Sequence, residues 1–322
     1  MLRIHFLNVG HGDCTLIEFP SGHLTVVDIN RSTEMDKDSF GELLSESFDS
    51  QTALTNKGLY DRGVKTYREI LQEAKYNIQL TDPIPYIKKI AGSNNIFRFI
   101  STHPHMDHLS GLSALRDQIG FINFWVLSNK FKPDLDKLDE AGKQDWALYA
   151  GLRDGTIGGT TVVRPLEGEL RDYWQQDGIG VLAPNAEILK DVSEPNAMSY
   201  VLLIKYGSFK VVLGADANVA TWEYLAKSYP ETFKGITVLK AAHHGRDSGY
   251  HQEAVKLMSP QLTVISVGKK PENDASSKYR QYSKNVLSTR WYGNITVTLN
   301  EDGSGRFDTQ YQRNLDNASA VR

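Results

Sequence analysis

The 322-residue sequence has a single cysteine, Cys14, and little net charge. One cysteine excludes an internal disulfide framework, so folding does not require an oxidising compartment. A formal charge of -3 gives no overall attraction to a polyanion, and a nucleic-acid substrate would therefore need a local basic patch. No apolar run is long enough to span a bilayer, and the N-terminus enters a strand pattern without the apolar segment of a signal peptide. We therefore expect a cytoplasmic protein that makes no membrane contact.

The overall composition is that of a soluble globular protein. Hydrophobic residues make up 40% of the sequence and charged residues 23%, which is enough for a sizeable core. No linker and no internal repeat divides the chain. We expect one domain over residues 1–322, with a long insertion at about 31–82 and a polar tail, predicted to be frayed, after residue 310.

The predicted insertion is polar and weakly patterned, apart from one amphipathic helix around Val64 to Ala74. Segments of this length inside a compact domain often act as functional lids. The insertion is therefore a candidate specificity element and a candidate docking site for a protein partner. The alternative interpretation is a disordered decoration.

Apolar runs separated by turn residues predict the remaining elements. The first three form an antiparallel meander, after which strands alternate with helices, and one helix is predicted near Tyr282 to Leu287. The strands at the two ends of the chain are Leu2 to Val9, Cys14 to Phe19, Leu24 to Ile29, Ile295 to Leu299 and Gly305 to Thr309.

A run of four ligand-type side chains follows an apolar strand at residues 103–108. His103 and His105 are two positions apart in extended chain and project to the same side, so they can hold one ion. Asp107 and His108 lie where the chain turns toward a helix, so they can face a neighbouring ion. Three imidazoles and a carboxylate without thiolate predict a two-metal site for zinc, with manganese or iron as alternatives.

Two further carboxylates and two further imidazoles stand at the ends of other strands. Asp28 interrupts the apolar end of the third strand, and because a buried carboxylate needs a partner, it either caps a turn or supports the histidines. Asp216 and the pair His243-His244 also follow apolar strands. Since ligands at strand ends converge at one edge of a sheet, Asp216 can bridge two cations and a late histidine can complete the second ion's shell.

Six motifs in this order resemble metallo-β-lactamase-fold hydrolases, specifically the branch that contains the nuclease domain of ComEC-type DNA-uptake proteins and pneumococcal phosphorylcholine esterase. The resemblance covers nearly the whole chain and implies a four-layer αβ/βα sandwich with the site at the sheet edges. The motifs are Asn8 to Asp13, Val27-Asp28, Thr102 to His108, Asn196 to Ser199, Gly214 to Asp216 and Lys240 to Gly245.

The resemblance implies a role for each matching residue. The first metal would be held by His103 and His105, the second by Asp107, His108 and His244, with Asp216 as the bridge. His244 is preferred to His243 because it directly precedes glycine. Candidate catalytic residues are Asp107 and His243, the latter facing the substrate or a phosphate oxygen; candidate substrate-binding or supporting residues are Asp28, Asn196, Ser199 and Lys240.

The sequence departs from the superfamily pattern in two places. Residues 109–215 contain no histidine, although many members supply a ligand there; the ComEC-like branch shares that absence and has a segment similar to Asn196 to Ser199. Either water and substrate complete the first metal's shell, or the site works with one ion. A histidine-containing loop usual later in the branch is replaced here by Asn273 to Tyr282, which offers lysine, arginine and tyrosine.

Two cations that share a water lower its pKa towards about 7, so hydroxide can attack without a protein nucleophile. A phosphodiester is the expected electrophile, in a nucleic acid, a nucleotide or another phosphate-containing substrate. His11 and basic residues such as Arg246, Lys269 and Lys270 can approach the site or steer the substrate, or are ordinary turn and surface residues. The alternatives are hydrolysis of a lactone, thioester or β-lactam, or a metal-bound regulatory module with little turnover.

Overall fold

The computed structural model describes residues 1–32, 34–190 and 194–311. Most of the predicted polar tail, from residue 312 onward, lies outside the described residues. The strands are β1 (Leu2–Phe6), β2 (Thr15–Glu18), β3 (Leu24–Val27), β4 (Ile96–Ile100), β5 (Phe121–Trp125), β6 (Thr161–Val163), β7 (Ile179–Ala183), β8 (Val201–Tyr206), β9 (Phe209–Leu213), β10 (Val238–Lys240), β11 (Leu262–Ile265), β12 (Asn285–Ser288), β13 (Ile295–Leu299) and β14 (Gly305–Thr309).

Helices connect these strands and cover the sheets. They are α1 (Lys37–Ser47), α2 (Ser50–Asp61), α3 (Tyr67–Glu73), α4 (Pro83–Ala91), α5 (Leu112–Gln118), α6 (Glu140–Arg153), α7 (Asp172–Gln176), α8 (Ala186–Lys190), α9 (Val219–Ser228), α10 (Pro230–Phe233), α11 (Gln252–Met258), α12 (Ser276–Tyr279) and α13 (Thr289–Tyr292). Among the described residues no helix has both the length and the apolar content needed to cross a membrane.

The strands form two mixed sheets. The first has the order β14-β13-β1-β2-β3-β4-β5-β6, and the second has the order β12-β11-β10-β9-β8-β7. Strands β3 to β6 are parallel to one another, as are β9 to β12, whereas the other neighbours are antiparallel. Parallel strands that neighbour each other end at the same edge, and this places the loops that follow β3, β4, β9 and β10 together.

An apolar core fills the space between the sheets, and a second apolar layer lies on each outer face. In β10, Val238 belongs to the core between the sheets, while Leu239 faces the helical layer with α9 to α11. On the other side, α4 to α6 pack against the first sheet through residues such as Leu112 and Trp146. Both faces of these central strands are apolar because both are covered. The predicted four-layer αβ/βα class is confirmed.

Two secondary-structure predictions are wrong. The insertion is mostly helical: besides α3, which the sequence predicted, it contains α1 and α2. Phe40, Leu43 and Leu44 form an apolar stripe on α1 that joins the core between the sheets. The helix predicted near Tyr282 to Leu287 is instead edge strand β12, parallel to β11; with only Val286 and Leu287 apolar, this four-residue strand is too short to define a period.

A buried ion-pair network anchors the insertion to Arg290 and to the loop that follows β11. The Arg290 guanidinium, 3% exposed, donates to Glu42 Oε2 at 2.9 Å and to Glu46 Oε2 at 2.9 Å. The same Glu42 oxygen accepts the backbone N–H of Lys270 at 2.7 Å. One carboxylate of α1 therefore fixes both a buried arginine and the loop that follows β11.

We expect Glu42→Gln to lower the free energy of unfolding by about 1–3 kcal/mol, because it removes a charged partner from a buried guanidinium while the side chain keeps its shape. Urea unfolding followed by circular dichroism measures the change. The matched control is Glu253→Gln on α11, whose pairing with Lys256 is exposed to solvent and should change stability by less than about 0.5 kcal/mol. Equal effects in the two variants would contradict the anchoring role.

Candidate metal centre

The site lies where the carboxyl ends of strands from both sheets meet. The chain leaves β3 at Asp28, β4 at residues 101–108, β9 at Asp216 and β10 at His243-His244. All these segments approach one another although they are far apart in sequence. The structure therefore brings every predicted ligand to one place.

The first pair of imidazoles is close enough to share an ion. Nε2 of His103 lies 3.1 Å from Nδ1 of His105, and the same His103 nitrogen is 3.8 Å from Oδ2 of Asp216. Two ligands of one tetrahedral zinc, each about 2.0–2.1 Å from it, lie roughly 3.3 Å apart. His103 is therefore close to both His105 and Asp216, and one ligand atom each of His103, His108 and Asp216 lie within 4.8 Å of one another.

A second group of nitrogen and oxygen atoms has the same spacing. Nε2 of His244 is 3.2 Å from Oδ2 of Asp107 and 3.6 Å from Oδ2 of Asp216. Nε2 of His108 is 3.8 Å from Oδ2 of Asp107 and 3.4 Å from Oδ1 of Asp216. Because Asp216 directs an oxygen to both groups, it occupies the position of a bridging carboxylate.

Several buried polar atoms of the site have no hydrogen-bond partner among the described residues. They include Nε2 of His108, Oδ1 of Asp216, Oδ1 of Asn196 and Oγ of Ser199. Unpaired buried polar atoms cost free energy unless a ligand or water satisfies them. The donor set, nitrogen and carboxylate oxygen without thiolate, fits zinc and related divalent cations.

Hydrogen bonds fix which nitrogen of each histidine faces the centre. Nδ1 of the buried His244 lies 3.0 Å from the Ser266 carbonyl oxygen, so it donates there and leaves the Nε2 lone pair for a cation. His243 is half-buried, with Nδ1 2.7 Å from Ser248 Oγ and Nε2 3.8 Å from Asp216 Oδ2. This geometry favours His244 as the ligand and His243 as a group beside the substrate space.

The electrostatics of the site also favour a cation. Burial alone would raise the pKa of Asp216, but the imidazoles of His244 and His108 hold it well below its usual range. Burial alone would lower the pKa of His108, but the carboxylates of Asp216 and Asp28 raise it well above its usual range. The pKa of His244 is raised for the same reason, against burial and chiefly by Asp216. A divalent ion would satisfy the same concentration of negative charge.

Asp28 supports the histidine run from behind. Its Oδ2 accepts from Nδ1 of His108 at 2.8 Å and from Oγ1 of Thr102 at 2.7 Å, and its Oδ1 accepts the Thr102 backbone N–H at 2.8 Å. Of the two predicted alternatives, the geometry favours support of a ligand over a turn cap. A carboxylate on the far nitrogen of a ligand fixes its tautomer and direction.

Sequence reasoning missed Asp13, which is buried under the site and forms an ion pair with the equally buried Lys240. Its Oδ1 lies 3.7 Å from Nδ1 of His244. Lys240 was predicted as a substrate-binding or supporting residue; at 2% exposure it does not reach substrate, so only the supporting role remains. In the sequence, Asp13 stands out only as the last residue of the Asn8 to Asp13 motif, directly after Gly12. The turn at Gly12 approaches Asp107 so closely that a Cβ on Gly12 would lie 2.5 Å from the Asp107 carbonyl oxygen.

Asn196 lies in the short helical turn Pro195–Met198 before β8, and Ser199 directly follows that turn; both residues are buried. Nδ2 of Asn196 is 3.3 Å from Nε2 of His243. The segment therefore occupies the place where the histidine-free stretch 109–215 supplies no imidazole, and an amide and a hydroxyl stand there instead.

His11 reaches the site as well. Its ring centroid is 4.7 Å from that of His244, and one of its nitrogens can join Asp107 and His244 around a common ion. Burial, followed by the repulsion of His244, lowers the pKa of His11 to about 4, so it is neutral at physiological pH. Of the two open interpretations, approach to the site is what the structure shows.

No family model and no curated protein matches this sequence. Similar solved structures include a metallo hydrolase, Igni18, from the archaeon Ignicoccus hospitalis, with a TM-score of 0.47 at 13% identity over 92% of this chain and 100% of that one. A metal-dependent hydrolase of the β-lactamase superfamily has a TM-score of 0.44 at 11% identity over 89% and 96% of the two chains. A long-form RNase Z from yeast has a TM-score of 0.40 at 9% identity over 89% and 40%. At these identities the likeness concerns the fold, and the ComEC-like branch stays a prediction.

We expect the affinity for zinc to fall as the pH is lowered from about 8 to about 6, because His108 and His244, whose pKa values are raised, bind protons that the metal must displace. Each proton released corresponds to about a tenfold loss of affinity per pH unit. Competition with a chromogenic chelator across this range measures the affinity, and a weakly buffered titration measures the protons. A flat profile with no proton release would contradict the assignment.

We expect Asp28→Asn to lower metal affinity by about 10- to 100-fold, because it removes the charged acceptor that orients His108. Chelator competition with the purified variant measures this change. Asp134→Asn, at an exposed carboxylate that caps a short turn, is the control and should leave affinity unchanged. An unchanged affinity in Asp28→Asn would show that His108 is oriented without its help.

Proposed function

We propose that this chain is a dinuclear metal-dependent hydrolase whose substrate is a phosphodiester. One observation carries the proposal: imidazoles from two separate segments, the run after β4 and the turn after β10, meet around the two oxygens of buried Asp216, at distances that suit ligands of two adjacent cations. Nε2 of His108 and Oδ1 of Asp216 support it further, because they lie 3.4 Å apart and neither forms a hydrogen bond among the described residues.

The residues divide between the two ions as follows. His103 and His105 would hold the first, Asp107, His108 and His244 the second, and Asp216 both. Zinc is the proposed metal, with manganese or iron as alternatives, because the ligands are nitrogen and oxygen. When bound, such a pair activates water and stabilises the negative charge that develops on the substrate.

The protein side chains around this pair bind and orient the substrate and move its protons. His243 faces the space above Asp216 through Nε2, and its Nδ1 contacts Ser248. Its imidazolium form, which burial disfavours by lowering the pKa, would give a proton from Nε2 to the leaving oxygen. Asn196 stands beside that nitrogen and offers an amide to a phosphate oxygen. Cys14 takes no part: it is buried and burial raises the pKa of its thiol well above the usual range.

A carbonyl substrate, such as a lactone, thioester or β-lactam, is the alternative for the same residues. A phosphodiester fits better because its two non-bridging oxygens suit two adjacent cations. The neighbouring cleft also offers half-buried Arg246 and Lys270, whereas its carboxylates are exposed to solvent. A docking role for the insertion at residues 31–82 is compatible with either substrate, since Leu54 of α2 is 72% exposed.

The test combines metal analysis with hydrolysis of bis(p-nitrophenyl) phosphate and of ester and lactone substrates. We expect close to two ions per chain and metal-dependent phosphodiester cleavage in the wild-type protein. His105→Ala and His244→Ala should each lose about one ion and at least about 100-fold of the activity, because each removes a ligand. Preferred cleavage of the carbonyl substrates would overturn the phosphodiester assignment.

The two adjacent histidines provide an internal comparison. His243→Ala should keep both ions and lower kcat by about 100-fold or more, because it removes a proton donor and no ligand. His251→Asn, which keeps a cap for α11 away from the centre, is the control. A metal-loaded wild-type protein that cleaves none of these substrates would favour the regulatory role instead.

A further inference from the structure

A cleft of about 470 Å³ opens beside the metal centre, between α1 and the loop that joins β11 to α12. His11 and Arg246 line its inner end, and Lys269 and Lys270 line its outer wall. Its inner end is continuous with the centre, since the imidazole ring of His11 is 4.7 Å from that of His244 between centroids. A substrate held at the metal centre can therefore extend into this cleft.

Arg246 is half-buried, yet the structure gives it no carboxylate partner among the described residues. Its Nε is buried without any acceptor among the described residues, and its Nη2 lies 3.4 Å from Nε2 of His11. A guanidinium has five donors and no acceptor, so its remaining N–H groups require an anion or water. Because the Arg246 guanidinium is half-buried and has no carboxylate partner among the described residues, it is suited to bind an oxyanion through two hydrogen bonds.

The backbone around Arg246 is built to hold it in place. The N–H of Asp247 donates to the Asn273 carbonyl at 2.8 Å, and the N–H of Ala275 donates to the Gly245 carbonyl at 2.8 Å. Gly268, at the start of the loop between β11 and α12, lies close to the turn between β1 and β2. A Cβ on Gly268 would lie 2.7 Å from the backbone nitrogen of His11. These backbone contacts therefore hold the segment that carries Arg246 in a fixed position.

The cleft is also lined by three carboxylates, two of which contact neighbouring groups of the protein. Asp36 accepts the backbone N–H and the hydroxyl of Ser39 as the N-cap of α1, at 2.8 Å and 2.6 Å. Asp38 lies 3.4 Å from Lys269. Glu272 is exposed, so solvent screens its charge. Arg246 and the Lys270 side chain are the cations left to meet a ligand.

We propose that this cleft binds a second phosphate group of the substrate, next to the scissile phosphodiester, and that Arg246 is the specificity-determining residue that recognises it. The inference rests on the proposed function, because the first phosphate would lie at the metal centre. The second phosphate belongs either to the terminal phosphate of a nucleotide or to the next phosphate along a nucleic-acid strand. Both present the same oxyanion to the guanidinium.

Binding of products that contain no phosphodiester tests the inference without turnover. On metal-loaded protein, we expect thymidine 3′,5′-bisphosphate to bind about 10- to 100-fold more tightly than thymidine 5′-phosphate, as measured by titration calorimetry, because charged hydrogen bonds to the second phosphate are added. Arg246→Gln should bring the two affinities within about threefold of each other. Arg306→Gln, on β14 at the opposite end of the sandwich, should keep the wild-type ratio.

A second variant guards against misfolding of the first. Lys270→Gln leaves the backbone contact with Glu42 in place and should reduce the affinity ratio by about threefold or more. Equal affinities of wild-type protein for the two nucleotides, or a wild-type ratio in both variants, would overturn the inference.

Cleavage separates this inference from the proposed function. The substrates are the p-nitrophenyl ester of thymidine 5′-phosphate, the same ester with a 3′-phosphate, and the same ester with that phosphate extended to a further nucleoside. Wild-type kcat/KM should rise by about tenfold or more with the second phosphate. Equal rates for the 3′-phosphate ester and for the ester extended to a further nucleoside would indicate that the cleft accepts the next phosphate of a nucleic-acid strand. Cleavage without this preference overturns the cleft assignment alone; tighter bisphosphate binding without any cleavage overturns the proposed function alone.

Discussion

Buried negative charge at one edge of two facing sheets is the constraint on which this structure depends. Asp13, Asp28 and Asp216 are each at most 3% exposed, and isolated carboxylates at such depth would be far too costly. Each has a cationic or proton-donating neighbour: Lys240 for Asp13, and His108 for Asp28. Asp216 has only imidazoles around it, and one of its oxygens has no partner among the described residues. The charge balance at that oxygen is what the proposed cations would complete.

The backbone around the centre shows a matching strain. Of the six non-glycine residues with positive φ in the described part of the chain, four belong to the site, namely Asp28, Ala215, His243 and His244. Left-handed backbone in such residues costs about 1–2 kcal/mol each, and it persists where the surrounding structure holds it. Here, the paired strands before each turn supply that hold, so the turns can direct several side chains toward one point.

The insertion gives the site its second wall. Because Glu42 binds both the buried Arg290 and the backbone of Lys270, α1 and the loop after β11 act as one unit beside Arg246. The polar surface of the insertion therefore lines the cleft, and its apolar stripe belongs to the core. Under the proposed function, Glu42 would couple substrate specificity to stability, because the cleft exists only where α1 is docked.

The sequence by itself determined most strand positions and the set of candidate ligands, because residues 103–108 and the polar ends of apolar strands are local patterns. The four-layer class followed from the resemblance that the six ordered motifs carry. Tertiary structure alone distinguishes the surroundings of the two histidines. Both turn Nε2 toward Asp216, but His244 also lies 3.2 Å from Asp107 and is oriented by the Ser266 carbonyl that follows β11. Tertiary structure also decided the pairing of Asp13 with Lys240 and the isolation of Arg246. Those properties come from contacts across long sequence separations, and no local periodicity or spacing records them.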